Sequence, residues 1–291
     1  MSARHHHHPG RALTAALALT LAFAGIEALA GWFAGSLALL SDAGHMLTDS
    51  LALAIATVAA RLSHRAPSSR HSYGMARAEV LAALANAGFM FALVLAVAWN
   101  ALARLWHPRP VDGETVGIVA AVGLAINLAV AWTLSRGGRD LNTRGALLHV
   151  IADALGSVAA LASGLIILAT GWTRIDPLLS IAICALILGS SLRLARDAVH
   201  MLLEGVPAGI SLPQVGQRMA RTDGVVSVHD LHIWSISSER AALAAHVVVR
   251  DLADWEVVFA QLERMLRDEF AIDHVTLQPE TRTHRIGAVD A

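Results

Sequence analysis

The sequence predicts an all-α membrane bundle of six transmembrane helices followed by a small α+β domain. Three observations carry this. Apolar windows fall at 12–34, 37–60, 79–103, 115–134, 145–170 and 175–195, each long enough to cross a hydrocarbon core of about 30 Å as a helix. Hydrophobic types make up 55% of the 291 residues and charged types only 15%, against about 25% charge in soluble domains. A lipid-facing surface accounts for that deficit. Finally, composition changes after Glu204-Gly205-Val206-Pro207, beyond which charges become frequent. The chain therefore divides into a tail at 1–11, a six-helix domain at 12–205 and a soluble domain at 206–291.

The first window follows a basic N-terminus with a run of four histidines, His5 to His8. A cleaved signal peptide would have a shorter apolar region and a small-residue cleavage site, so the window reads as an uncleaved span. Loop charge then orients the bundle. Arg4, Arg11, Arg61, Arg65, Arg70, Arg77, Arg136, Arg139 and Arg144 fall on one side, and Arg104, Arg109 and Arg174 on the other. Basic residues favour the cytoplasmic side, which puts both termini in the cytoplasm.

The tail alternates differently. Residues 211–222 read as a short helix, and 225–236 and 242–250 as strands joined by the polar turn Ser237-Ser238-Glu239-Arg240. Residues 253–270 read as an amphipathic helix, with Trp255, Val258, Phe259, Leu262, Met265 and Leu266 at helical spacing. Residues 273–278 form a last strand. The order is αββαβ, which suggests a small sheet with helices on one face.

Several function classes are disfavoured at once. The net charge of -1 argues against a nucleic-acid partner. The single cysteine, Cys184, lies in an apolar run and supplies neither an intrachain disulfide nor a thiolate zinc site. No Gly-rich phosphate loop, nucleophile elbow or H-E-x-x-H motif occurs.

The chemistry concentrates in two spans. The second places His45 and Asp49 four residues apart, and the fifth repeats the spacing with His149 and Asp153. Residues so spaced share one helix face, one turn apart. Ionisable groups at membrane depth cost several kcal/mol and usually face a bundle interior or cavity. If these pairs only glued helices together, they would contribute about 0.6 kcal/mol per contact, a small return for four such groups. Two imidazoles and two carboxylates instead suit Zn²⁺, which takes four such ligands tetrahedrally, with Co²⁺, Ni²⁺, Fe²⁺ and Mn²⁺ as weaker fits. Mg²⁺ prefers an all-oxygen octahedral shell, and Cu⁺ prefers sulfur. Metal entry would displace protons from these ligands, and imidazole titrates near physiological pH. Proton-coupled movement of the metal follows, with the quartet exposed alternately to each side.

The segments Ser41-Asp42-Ala43-Gly44-His45-Met46-Leu47-Thr48-Asp49 and Leu148-His149-Val150-Ile151-Ala152-Asp153-Ala154-Leu155-Gly156-Ser157 resemble the cation diffusion facilitators, in their zinc-transporting branch. Val228-His229-Asp230-Leu231-His232-Ile233-Trp234 and His274-Val275-Thr276-Leu277-Gln278 add to the resemblance, which covers nearly the whole chain. It implies a homodimeric antiporter that moves divalent metal out of the cytosol against inward protons. It also implies a transport site at His45, Asp49, His149 and Asp153, with zinc preferred because a histidine stands at position 45. The tail domain would be metallochaperone-like, dimerising and sensing metal. The short loop after span four favours a bacterial-type, multi-pass protein of the cell (inner) membrane.

Other candidates rank below the quartet. In the tail, the resemblance favours one regulatory zinc per chain on His229, His246, His274 and Glu280. His232 lies three residues from His229, on the opposite strand face. His71 matches one ligand of a family loop site, but Ser68 and Met75 stand where partners would be, so it reads as a gate or surface residue. Asp42 reads as structural or cap-like. Glu27 reads as a satisfied polar contact, and Asn86 and Asn127 as interhelical hydrogen-bonders. Two other function classes compete with transport. A membrane zinc enzyme would need an open metal position and a nearby base, and a membrane-anchored metal sensor would leave the quartet unexplained.

Overall fold

The computed structural model describes residues 9–135, 141–237 and 240–281, with side chains for these except 9–19, 134 and 141–149. Six long helices come first: α1 (Pro9–Ala34), α2 (Leu37–Ser63), α3 (Ala78–Trp106), α4 (Gly113–Ser135), α5 (Leu141–Thr170) and α6 (Ile175–Leu202). The tail follows as α7 (Leu212–Ala220), β1 (Val225–Ser235), β2 (Ala241–Val249), a 3₁₀ turn at Leu252–Asp254, α8 (Trp255–Phe270) and β3 (Ile272–Glu280). This is a helical membrane region joined to an αββαβ domain. Five of the described helices, α2 to α6, are long and apolar enough to cross a membrane, and the described part of α1 adds a shorter apolar helix, Thr20–Ala34. Trp32, Phe33, Trp99 and Trp106 are exposed near helix ends, as aromatic side chains at a membrane interface are.

The chain forms two compact units, residues 1–55 with 85–194, and residues 56–84 with 195–291. In the first, α4 and α5 pack backbone to backbone. A Cβ on Gly164 would stand 2.6 Å from the Gly117 nitrogen, so any side chain there forces the helices apart. Helix starts are held by carboxylates from elsewhere or nearby. Asp176, at the start of α6, accepts from the Ser36 hydroxyl at 2.5 Å and from the Leu37 and Ala38 amides at 2.7 and 3.3 Å. It thereby caps α2, whose first amides have no intrahelical partner. Asp112 caps α4, accepting from the Thr115 hydroxyl at 2.5 Å and the Glu114 amide at 3.1 Å. Those bonds, the Thr115 hydroxyl first, hold its carboxyl below the usual carboxylate range.

In the second unit, the sheet order is β1-β2-β3, with β1 antiparallel and β3 parallel to β2. The parallel pair needs a crossover, which α8 supplies. Helices α7 and α8 cover one face, packing Val215, Met219, Leu262 and Leu266 against Leu243 of β2 and Ile272 of β3, all essentially excluded from solvent. Arg218 on α7 donates through Nε and Nη2 to the Glu269 carboxylate on α8, at 2.9 and 2.7 Å.

Candidate metal sites

Helix α2 turns His45 and Asp49 to one face, with His45 Nε2 3.6 Å from Asp49 Oδ2. Helix α5 brings Asp153 Oδ1 to 3.7 Å from the same nitrogen. One ligand atom from each of the three lies within 4.8 Å of the others. Tetrahedral zinc at its usual bond lengths separates ligand atoms by about 3.4 Å, and the two separations from His45, 3.6 and 3.7 Å, come within a few tenths of an ångström of that. Their side chains are 18%, 22% and 11% exposed. They are largely buried among apolar helices, and the Asp49 Oδ2 and Asp153 Oδ1 atoms are shielded from solvent. His149 lies four residues before Asp153 on α5, and its side chain falls outside the described residues.

Beside this trio sits a polar cluster of different character. Asp42 on α2 approaches α5 where Gly156 leaves room; a Cβ there would stand 2.6 Å from Asp42 Oδ1. The Ser157 hydroxyl donates to Asp42 Oδ2 at 3.3 Å, and the Asn127 amide on α4 donates to Ser157 at 3.2 Å. Asn127 is thus the interhelical hydrogen-bonder its isolation in span four suggests. Glu27 on α1 faces Asp42 within hydrogen-bonding reach. The expectation of a satisfied contact at Glu27 needs correcting, because neither of its oxygens meets a donor among the described residues. No sequence signal joins Glu27 to Asp42, since they lie on different helices with no shared spacing.

The tail holds a second trio. β1 and β2 place His229 opposite His246, with ring centroids 5.3 Å apart. Glu280, near the end of β3, lies 3.2 Å from His229 Nε2 and 2.6 Å from His246 Nδ1. A residue that sequence reasoning missed joins them at the edge. Asp230 has φ +50, at a register break between His229 and His232. Its Oδ2 lies 3.8 Å from His246 Nε2, and its Oδ1 2.9 Å from His232. Strict strand alternation would point Asp230 away from the His229 face; the bulge is what defeats that rule. His274 pairs in register with Ala242 and meets the Tyr73 ring edge-on at 5.7 Å. Six residues separate it from Glu280, about 20 Å along a strand, so it stands apart from the trio. His71 is exposed and lines a cavity of about 420 Å³ with Tyr73, Arg77, Glu204 and Trp234. Among the described residues no three-ligand group includes it.

Long apolar helices with an adjoining αββαβ domain define a multi-pass membrane protein, and comparison with known proteins makes that class specific. Residues 13–203 match the cation efflux transmembrane domain, and residues 207–282 the cytoplasmic domain of cation efflux proteins. The chain is 38% identical to the cadmium, cobalt and zinc/H(+)-K(+) antiporter of Bacillus velezensis, over 96% of this chain and 92% of that one. It is 40% identical to the zinc transporter ZitB of Escherichia coli, over 93% and 87%. The metal-bound C-terminal domain of the CzcD transporter from Cupriavidus metallidurans matches 24% of this chain and 99% of its own, at 44% identity and a TM-score of 0.23. The chain belongs to the cation efflux family, the cation diffusion facilitators, whose members are transporters rather than enzymes.

Proposed function

We propose that the chain exports Zn²⁺ from the cytosol in exchange for protons, by alternating access around His45, Asp49, His149 and Asp153. The observation that carries the reading is the convergence of His45, Asp49 and Asp153 ligand atoms within 4.8 Å, inside apolar helices. Ligands of this kind bind metal only when deprotonated, so metal and protons compete for one set of atoms. That competition is what an exchanger needs. Protonation from outside discharges the metal, and deprotonation toward the cytosol restores affinity. Both termini lie in the cytoplasm of a cell (inner) membrane protein that works as a homodimer. Names among the relatives, a zinc transporter and a cadmium, cobalt and zinc antiporter, support this substrate class. The test is zinc uptake into proteoliposomes under an imposed pH gradient. Uphill zinc movement that collapses when an ionophore dissipates the gradient supports exchange. Zinc movement indifferent to the gradient rejects it.

The tail trio His229, His246 and Glu280 holds one regulatory zinc per chain in this reading, with Asp230 on the far side of the His246 ring, at Nε2 rather than Nδ1. His246→Ala lowers equilibrium zinc binding of the full-length protein by one ion per chain and leaves the membrane site loaded. An unchanged stoichiometry removes the tail from the account.

A further inference from the structure

Glu27 is fully buried and Asp42 nearly so, at 0% and 2% exposure. They come from different helices, α1 and α2, and their carboxyl groups lie within hydrogen-bonding reach. An ionised carboxylate only accepts hydrogen bonds. Two of them facing each other in a membrane interior repel strongly and offer each other no donor. Asp42 accepts from Ser157; Glu27 accepts from nothing among the described residues. One proton held between the two carboxyls supplies the missing donor and removes one charge, as in shared-proton carboxyl pairs elsewhere. Packed helices add little else. α5 contributes the charge of Asp153, and α4 contributes the neutral Asn127. The apolar wall is Phe23 and Met46.

We propose that Glu27 and Asp42 form a second buried ion site, separate from the metal ligands, which holds one proton and releases it when a divalent metal binds beside it. The proposal rests on the reading that His45, Asp49 and Asp153 take the metal. Geometry links the two sites: Asp42 stands three residues before His45 on α2 and accepts from Ser157, four residues after Asp153 on α5. With the metal absent, the Asp153 carboxylate is a like charge beside the pair in a low-dielectric interior. A divalent ion at Asp153 reverses that field. The shared O–H bond then breaks, its electron pair stays on the carboxyl oxygen, and the proton passes to water. A permanently protonated pair would serve only to join α1 to α2.

Glu27→Gln separates these roles. The glutamine amide donates to Asp42 in place of the shared proton, so the α1–α2 contact survives while the exchangeable proton is lost. Full-length protein in detergent is titrated with ZnCl₂, and protons released per zinc are counted by calorimetry in two buffers of different ionisation enthalpy. Difference infrared spectra follow the carbonyl band of a protonated carboxylic acid. Wild type is expected to release about one more proton per zinc than Glu27→Gln, and to lose an acid carbonyl band that the variant never shows. Equal proton counts overturn the proposal, as does an acid band that survives zinc. Should Glu27→Gln fail to fold, Asp42→Asn makes the same comparison, since its side-chain oxygen still accepts from Ser157. Failure of the underlying reading shows differently: Asp153→Ala would then bind as many zinc ions as wild type, whatever the proton count.

Discussion

Asp49→Ala and Asp153→Ala each lower zinc flux by at least about 100-fold while leaving the protein folded. Altering even the outer-shell partners of a metal ligand typically costs 10- to 100-fold in affinity or activity, and these substitutions remove a ligand itself. The two carboxylates approach the same His45 nitrogen from different helices, at 3.6 and 3.7 Å, so neither can replace the other without moving a backbone. Each also carries negative charge that offsets the divalent ion in surroundings of low dielectric, where an uncompensated charge is costly. Folding should tolerate the change, because Ala removes a partly buried ionisable group and adds none. Zinc uptake in proteoliposomes under a pH gradient, paired with thermal unfolding of the same preparations, checks both halves. Flux within about twofold of wild type in either variant would make the trio structural and turn attention to the tail.

How much of this was legible in the sequence depends on what kind of signal each feature leaves. His45 and Asp49 share a helix, so their spacing alone puts them on one face. The repeat of that spacing at His149 and Asp153 suggested a joint site, and the structure brings Asp153 to His45. The grouping of His229 with His246 rested on the family resemblance, and the antiparallel register places the two opposite each other. What stayed hidden are contacts between helices with no common periodicity. Glu27 and Asp42 meet because α1 and α2 pack at one particular register, which no spacing encodes. Gly156 gives no hint of a carboxylate resting against it, since its role exists only once α2 lies there. Asp230 was hidden for another reason: a bulge re-aims it, and a bulge breaks the very alternation used to read the strand. No sequence spacing marks Asp176, in the first turn of α6, as a cap for another helix. Its cap reaches back 139 positions to Leu37, beyond any local capping pattern.

That cap carries the second large effect. Asp176→Ala is expected to destabilise the membrane region by about 3–5 kcal/mol, with Asp176→Asn losing roughly half as much. Asp176 is fully buried and accepts from the Ser36 hydroxyl and the Leu37 and Ala38 amides. The Ser163 hydroxyl on α5 reaches it at 3.5 Å. Removing the carboxylate strands two buried amides and a hydroxyl, and each unsatisfied donor costs about 1–3 kcal/mol. Asparagine keeps one accepting oxygen, but turns an N–H toward the remaining donors. The Arg104 guanidinium, which donates to the Gly35 carbonyl and feels the charge of Asp176, loses a compensating charge in both variants. Because α2 begins at this cap and carries His45 and Asp49, release of its first turn loosens the geometry on which metal binding depends. Asp176→Ala should therefore weaken zinc affinity in parallel with its drop in thermal unfolding midpoint. A midpoint within a degree or two of wild type would show that α2 is held by packing alone and that the carboxylate is dispensable.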